Sequence, residues 1–321
     1  MIAVADTRFI TSSVAVARRP VALVDLRDIM VFAVLFPGQG SQMKGMGADL
    51  FDRYPGLTRF ACDLLGYDLV ALCQDNPASR LSRTEYTQPA LYTVNALRMF
   101  ERVHREERGA DFLLGHSLGE YNALLTAGAF DFETGLKLVK KRGELMAAAS
   151  GGGMTAVMDV PEIRLLEMFR EDGIEGIDLA GFNTPTQVVI AGTTVELQAA
   201  HAALEHRKVR FAPLDVSAPF HSRYMAPARE EFERHLRQFT FSEPSVPVIA
   251  NVTGRPYEQG SIVQMLCDQL VEPVRWVDSI RHLLAIDGLM ECEEIGGRAL
   301  LRMVDRIRDD FAPDQPSDAR N

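Results

Sequence analysis

The chain has 321 residues, of which 47% are hydrophobic and 24% are charged, the usual composition of a globular protein. This composition excludes collagen-like, fibrous and intrinsically disordered chains, and the length suits one large α/β unit or two coupled lobes. The 34 basic and 44 acidic residues give a net charge of −10, which disfavours nucleic acid as a partner because its phosphates are repelled. No apolar stretch reaches the ~18 residues of a membrane span, so no membrane partner is predicted.

Both ends of the chain differ in composition from the sequence between them. Residues 1–29 mix arginines with aspartates and lack the cationic start and apolar core of a secretory signal, so we expect a poorly ordered leader or linker. Residues 309–321 are rich in Asp, Pro and Ser, which predicts a disordered tail. The four cysteines are scattered without a C-x-x-C pair, which predicts reduced thiols in a cytoplasmic protein and no metal centre.

The first half of the chain predicts strands and helices in alternation. An apolar run at residues 31–36 has strand length and ends at a Gly-rich turn, and the segment from there to about residue 108 is mostly helical. A short buried strand is predicted at residues 112–114, with a helix directly after it at residues 118–127. A second helix, with a cationic stripe, is predicted at residues 130–149.

The periodicity changes after three consecutive glycines at residues 151–153. Strands and helices then follow in the order β-α-β-α-β, at residues 154–160, 161–171, 187–191, 194–206 and 209–214. This order resembles a small split α/β sandwich inserted into a larger unit. We therefore predict an α/β fold with two lobes. The large lobe, residues 30–152 and 218–308, is α/β-hydrolase-like with a parallel sheet, and the small lobe, residues 153–217, is ferredoxin-like.

A G-x-S-x-G pentapeptide lies between the predicted strand at 112–114 and the helix that follows it. The glycines at 115 and 119 allow a sharp turn, so that Ser117 projects its hydroxyl at the end of the strand. The N–H groups at the start of the helix point to the same place and favour negative charge there. These are the requirements of an acyl-transfer nucleophile, and Ser117 is the predicted one.

A serine nucleophile needs a general base, and His221 is the candidate among the seven histidines. It stands in a turn-rich loop after a predicted strand, from which a side chain can be brought to a distant serine. His116 is adjacent to Ser117, so its side chain is expected to point away and to pack or line the pocket. No motif indicates a carboxylate that would orient His221.

Five motifs occur in order along the chain: FPGQGSQ at residues 36–42, GHSLGEY at 115–121, KRG at 141–143, NTPTQVVIAG at 183–192 and PFH at 219–221. In order and spacing they resemble those of the malonyl-CoA:acyl carrier protein transacylases. The resemblance is greatest to the stand-alone acyltransferases that serve modular polyketide synthases in trans, and it extends from about residue 30 to residue 307.

The resemblance implies a set of catalytic roles. Ser117 would take the malonyl group from coenzyme A as an ester, and His221 would activate first Ser117 and later the phosphopantetheine thiol of the carrier. The backbone N–H groups of Gln39 and Leu118 would form the oxyanion hole. The main-chain carbonyl of Gln269 would orient His221, which gives a Ser–His pair without an acid.

The resemblance also implies how the substrate is selected. Arg142 would bind the free carboxylate of malonyl through two parallel hydrogen bonds, a carboxylate that acetyl lacks. Met146, one helical turn later, would line the same pocket together with His116. Phe220 would crowd a substituent on the acyl α-carbon and so favour malonyl over methylmalonyl, an effect on the order of 1–3 kcal/mol per methylene.

The sequence thus predicts ping-pong transfer of malonyl from malonyl-CoA to an acyl carrier protein or carrier domain, for polyketide or fatty acid synthesis, without a tightly bound cofactor. Two alternatives stay open. An editing acyl hydrolase of the same fold would handle uncharged acyl chains and would not need Arg142. A catalytically silent carrier-docking subunit would need neither Ser117 nor His221. Residues 294–300 stand where the family usually has a Gly-Pro-Gly turn, which leaves the shape of that loop open.

Overall fold

The computed structural model describes residues 30–286 and 290–311, so the predicted leader at 1–29 lies outside the described residues. The described residues form nine strands, β1 to β9: Phe32–Phe36, Phe112–Gly115, Gly152–Met158, Asp178–Thr184, Gln187–Thr193, Arg210–Pro213, Val248–Ala250, Arg255–Pro256 and Glu291–Glu294. They also form eleven α-helices, α1 to α11: Pro55–Leu65, Leu69–Asp75, Thr84–His104, Gly119–Thr126, Phe132–Ala148, Glu162–Glu171, Thr194–His206, Ala226–Leu236, Ile262–Asp268, Trp276–Ile286 and Ala299–Asp310. Short 3₁₀ turns lie at Pro77–Ser82 and Arg223–Met225.

The larger sheet has the strand order β8-β7-β2-β1-β9, and every pairing in it is parallel except that of β7 with β8. All five residues of the central strand β1 are buried. Phe32, Val34 and Phe36 face one hydrophobic core, whereas Ala33 and Leu35 face a second core formed with α10 and α11. Because both faces are covered, the strand is an uninterrupted apolar run, as its sequence indicates.

The smaller sheet is antiparallel, with the order β4-β5-β3-β6. Together with α6 and α7 it gives the succession β-α-β-β-α-β of a ferredoxin-like unit. The predicted α/β class, with a parallel sheet and a separate small sheet, is confirmed. We propose to divide the chain into the two predicted lobes, with the single adjustment that β3 begins at Gly152.

One strand of the small sheet was not predicted. Strand β4 has the sequence DLAGFNT, in which Asp, Gly and Asn are poor strand formers, and its pairing with β5 is interrupted by irregularities. Its outer edge pairs with the large lobe: the Phe182 N–H donates to the Val274 carbonyl at 2.9 Å, and the Val274 N–H donates to the Ala180 carbonyl at 3.0 Å. The hydrogen bonds with Val274 therefore stabilise a strand that its own residues do not favour.

The C-terminal helix α11 corrects the predicted tail. The prediction of disorder from residue 309 is wrong for Asp309 and Asp310, which belong to α11. Arg281 Nη2 donates to the Asp310 carboxylate at 2.7 Å, and Phe311 packs against the second core, so tertiary contacts hold this end. The remainder of the predicted tail, residues 312–321, lies outside the described residues.

The turn before α11 is the segment that departs from the family pattern. The Glu294 carboxylate accepts the N–H groups of Ala299 at 3.2 Å and Leu301 at 3.0 Å, and Gly296 has a φ of +79°. The side chain therefore satisfies amides at the start of the helix that have no partner within it. Within the described residues, no helix is long and apolar enough to cross a bilayer.

Candidate active site

Ser117 lies in a strained turn between β2 and α4, with a φ of +51°. Both flanking glycines are required by close backbone approaches. A Cβ on Gly115 would lie 1.9 Å from the Gly119 carbonyl carbon, and a Cβ on Gly119 would lie 2.0 Å from the Phe36 carbonyl oxygen. The chain thus turns sharply enough to lift the serine hydroxyl above the end of the strand, which is the geometry of a nucleophile elbow.

Asn251, at the end of the neighbouring strand, stabilises the Ser117 turn with two hydrogen bonds. It follows β7 directly and is buried. Its Oδ1 accepts the Ser117 N–H at 2.7 Å, and its Nδ2 donates to the Gly115 carbonyl at 2.6 Å. The sequence analysis missed Asn251, although a polar residue directly after a buried strand could have indicated it, since ligand sites collect at the carboxyl ends of parallel strands.

Ser117 and His221 meet at hydrogen-bond distance. Ser117 Oγ lies 2.9 Å from His221 Nε2, and His221 Nδ1 lies 2.6 Å from the main-chain carbonyl oxygen of Gln269. A carbonyl can only accept, so Nδ1 carries the proton and Nε2 presents its lone pair to the serine. Burial, and next the charge of Arg142, lower the pKa of His221 to about 3. The imidazole is therefore neutral at physiological pH and able to accept a proton.

Arg142, on α5, points its guanidinium into the same site and is only 1% exposed. Nη1 donates to Gln88 Oε1 at 2.8 Å, and Nη2 donates to Ser117 Oγ and to Gln269 Oε1, each at 3.0 Å. Burial lowers the pKa of Arg142. Within residues 30–286 and 290–311 no carboxylate forms an ion pair with this guanidinium, and its Nε has no hydrogen-bond partner. All its acceptors are neutral, so its charge is not matched by direct contact.

Gln88 holds the guanidinium from α3 and was not identified in the sequence analysis. Its Oε1 faces Arg142, while its Nε2 donates to the Met146 sulfur at 3.2 Å. Met146 is buried one turn after Arg142, as expected from their spacing, but its polar contact is with Gln88. Phe220 is buried directly before His221 and belongs to the larger core. The structure therefore brings Met146 and Phe220 to the vicinity of the site.

The loop after β1 packs directly against the serine turn. A Cβ on Gly38 would lie 2.2 Å from the His116 carbonyl oxygen and 3.5 Å from the Leu118 nitrogen, so the two segments are in contact. The Gln39 side chain is turned aside, because its Nε2 donates to Thr84 Oγ1 at 3.1 Å. In the part of the chain that the structure describes, neither the Gln39 nor the Leu118 main-chain N–H has a protein acceptor.

His116 faces the small lobe and not the nucleophile, as its position next to Ser117 predicts. Its Nε2 lies 2.9 Å from Oδ1 of Asn183 on β4, and its ring centroid lies 5.6 Å from that of Trp276. Burial lowers the pKa of His116. The contact with Asn183 places the serine turn where the two lobes meet.

The last part of the site is a buried polar network below the nucleophile, which the sequence analysis also missed. The Gln269 Nε2 donates to the Ser117 carbonyl at 3.1 Å and to the Glu120 carboxylate. The Tyr257 hydroxyl donates to the same carboxylate, and the Asn251 N–H does so at 3.2 Å. Burial raises the pKa of Glu120 to about 7.

A serine on a nucleophile elbow, within hydrogen-bond distance of both a neutral histidine and a buried arginine, defines an acyl-transfer site on an α/β fold. The chain belongs to the acyl transferase domain family, whose model matches residues 33–295. The resemblance predicted from the five motifs is thereby confirmed.

The chain aligns over most of its length with related proteins and with solved structures. It is 49% identical over 279 residues to the polyketide biosynthesis malonyl CoA-acyl carrier protein transacylase BaeC of Bacillus velezensis, covering 86% of this chain and 96% of the relative. A malonyl CoA-acyl carrier protein transacylase of Burkholderia pseudomallei is 46% identical with a TM-score of 0.86, covering 88% of this chain and 100% of that one. A malonyl-transacylase solved in complex with a type II PKS acyl-carrier protein is 36% identical with a TM-score of 0.80, covering 86% and 93%.

Proposed function

We propose that this enzyme transfers malonyl from malonyl-CoA to the phosphopantetheine thiol of an acyl carrier protein, through an ester on Ser117. One observation carries the proposal. Arg142 Nη2 lies 3.0 Å from Ser117 Oγ while the guanidinium is buried without a carboxylate partner among the described residues. A buried cation beside an esterifiable hydroxyl matches an acyl group that carries its own carboxylate.

In the first half-reaction, His221 Nε2 takes the proton of Ser117 as Oγ attacks the thioester carbonyl carbon. The oxygen that becomes negative accepts hydrogen bonds from the main-chain N–H groups of Gln39 and Leu118. The intermediate then breaks its C–S bond, and the departing coenzyme A sulfur receives the proton from His221. The products are the malonyl ester of Ser117 and free coenzyme A.

In the second half-reaction, the carrier takes the place of coenzyme A. Its phosphopantetheine thiol gives a proton to His221 Nε2, and the sulfur attacks the ester carbonyl. The C–O bond to Ser117 breaks, the serine oxygen regains the proton, and malonyl leaves as a carrier thioester. Throughout, the Gln269 carbonyl keeps the proton on Nδ1, the role that an acid has in a three-residue triad.

Selection follows from the charge of the acyl group. Arg142 is held by the amide oxygens of Gln88 and Gln269, so a malonyl carboxylate can approach a guanidinium that is already oriented. An acetyl group offers no charge, and the buried cation would stay unpaired. Phe220 and Met146 line the acyl pocket in this proposal, and Phe220 disfavours a methyl branch on the α-carbon.

The proposed partners are malonyl-CoA and the acyl carrier protein or carrier domains of a synthase. The name of the Bacillus velezensis relative supports polyketide biosynthesis, and the complex of another relative with an acyl-carrier protein supports the carrier partner. All four cysteines are free thiols, which supports a cytoplasmic enzyme. The reaction uses coenzyme A thioesters as substrates and calls for no tightly bound cofactor in this scheme.

The test offers malonyl-, methylmalonyl- and acetyl-CoA to the enzyme with a phosphopantetheinylated carrier, and follows acyl-carrier and free acid by mass spectrometry. We expect malonyl-carrier to dominate, and Ser117→Ala to abolish it. Free acid from every thioester would instead establish the editing hydrolase. No acyl-enzyme and no product with any thioester would establish a silent docking subunit.

A further inference from the structure

A buried carboxylate lies below the nucleophile and has no role in the proposed chemical steps. Glu120 is 0% exposed and lies on the first turn of α4, three residues after Ser117. Among residues 30–286 and 290–311 no basic side chain forms an ion pair with it. Its acceptor atoms are filled by neutral donors from three other segments: the Tyr257 hydroxyl, the Asn251 N–H and the Gln269 amide. Burying a carboxyl group is costly, so a network this complete points to a use for it.

The Gln269 side chain connects this carboxylate to the substrate-selecting cation. Its Nε2 donates to Glu120 and to the Ser117 carbonyl, and its Oε1 accepts from Arg142 Nη2 at 3.0 Å. A carboxamide has one donor end and one acceptor end, whereas an ionised carboxylate only accepts. If the amide were reversed, its NH₂ would face the guanidinium and its oxygen would face the carboxylate. In its ionised form, Glu120 therefore fixes, together with the Ser117 carbonyl, which end of Gln269 faces Arg142.

We propose that Glu120 is a positioning residue for malonyl selection, acting on Arg142 through the side-chain amide of Gln269. Gln88 fixes one arm of the guanidinium at Nη1, and the amide held by Glu120 fixes the other arm at Nη2, beside Ser117 Oγ. The inference rests on the proposed function, because it concerns the recognition of the malonyl carboxylate.

The separation between the charges of Glu120 and Arg142 is part of the proposed role. Glu120 stands one amide away from Arg142, so in its ionised form it stabilises the buried cation without contacting it directly. A carboxylate in direct contact would take the donors that a malonyl carboxylate needs. The guanidinium is thus held in place by neutral acceptors alone, so an incoming carboxylate meets no competing anion among the described residues.

The test compares Glu120→Gln and Gln269→Met in the full chain, measuring kcat/KM for malonyl-CoA and acetyl-CoA with a phosphopantetheinylated carrier. Both variants should lower the malonyl-to-acetyl ratio about tenfold, as expected when one buried polar contact is lost. Since Glu120 acts through Gln269, the double variant should lower the ratio no further than the single variants. An equal loss with both donors, or additive losses of the ratio, would overturn the proposal.

Tyr257→Phe is the matched control, because it removes a hydrogen bond to the same carboxylate without touching Gln269. It should leave the malonyl-to-acetyl ratio unchanged, and a tenfold drop in that ratio would overturn the proposed route through Gln269. If Glu120→Gln does not fold, Gln269→Met carries the test, since it keeps the main-chain carbonyl that orients His221. A wild-type enzyme that does not transfer malonyl would refute the proposed function, whereas malonyl transfer with an unchanged ratio in the variants refutes only the role of Glu120.

Discussion

The guanidinium carbon of Arg142 lies 5.5 Å from the ring centroid of Tyr121, so the buried cation stands over an aromatic face as well as beside the nucleophile. A cation–π contact of this kind contributes about 2 kcal/mol when it is desolvated. Together with the amide oxygens of Gln88 and Gln269, it stabilises the charge without an anion. The guanidinium therefore donates only to neutral protein groups, and the malonyl carboxylate would be its first anionic partner in the proposed reaction.

Arg142→Ala should lower kcat/KM for malonyl-CoA at least about 30-fold, because a buried carboxylate left without its partner costs about 2 kcal/mol or more. Acetyl-CoA should be affected far less, since it presents no charge. Steady-state kinetics with both donors measures the difference. Arg142→Lys is the control that keeps the charge, and it should recover little activity because an ammonium lacks the planar fork. An equal loss with both donors would contradict the assigned role.

Acylation of Ser117 by acetyl-CoA should show no inflection near pH 6.5 and should stay constant from about pH 5 to pH 8. The pKa of His221 is lowered to about 3, so the base is already neutral throughout this range, and the rate should fall only on acidification toward pH 3. Single-turnover acylation followed by mass spectrometry measures the profile. An uncharged donor is used so that carboxylate recognition does not enter.

Arg142→Ala also serves as the control for this pH profile. Burial and the charge of Arg142 are the two largest causes of the lowered pKa of His221, and both disfavour the protonated imidazole. Removing the cation should therefore raise that pKa and move the acidic fall in rate to higher pH. An acidic limb that does not move would show that Arg142 exerts no field on the histidine.

Asn251→Ala should reduce acylation by malonyl-CoA and acetyl-CoA to a similar extent. The substitution leaves the Ser117 N–H and the Gly115 carbonyl without their partner, and each unpaired buried group costs about 1–3 kcal/mol. The serine turn then loses its support, whereas Arg142 is not touched. Kinetics with both donors and urea unfolding test this expectation, and a selective loss of malonyl activity would refute it.

Gly119→Ala should destabilise the fold by more than about 3 kcal/mol, because the new methyl group would meet the Phe36 carbonyl oxygen at 2.0 Å. Gly153→Ala is the matched control in the small lobe. Its methyl group would meet only Leu197 at 3.5 Å and Val216 at 3.8 Å, which are ordinary contacts. Urea unfolding of both variants compares their free energies, and similar values would show that the serine turn tolerates a side chain.

The sequence predicted those parts of the site that depend on local pattern. Ser117 stands in a pentapeptide whose glycines indicate a sharp turn. The apolar run of β1 indicates a strand that is buried on both faces. Strand β4 was missed because its own residues disfavour a strand, and its edge is completed by Val274 from a distant segment. The strand propensity of a segment contains no information on a hydrogen-bond partner that is distant in the sequence.

The residues that support the nucleophile were missed for the same reason. Gln88, Asn251 and Tyr257 are ordinary polar residues in their own segments, and they gain a role only when the folded chain brings them below or beside the serine turn. Glu120 lies within a recognised motif, yet spacing alone gives no indication that its side chain turns inward to Gln269. A buried polar network is a property of the tertiary structure.

The backbone pairing of Ala180 and Phe182 with Val274 has a consequence for turnover. The two lobes cannot separate at this strand edge without breaking these main-chain hydrogen bonds. A ping-pong enzyme must admit a nucleotide thioester and then a whole protein bearing the same pantetheine arm. Because the arm is the same in both, the contact of β4 with Val274 can persist while one bearer replaces the other.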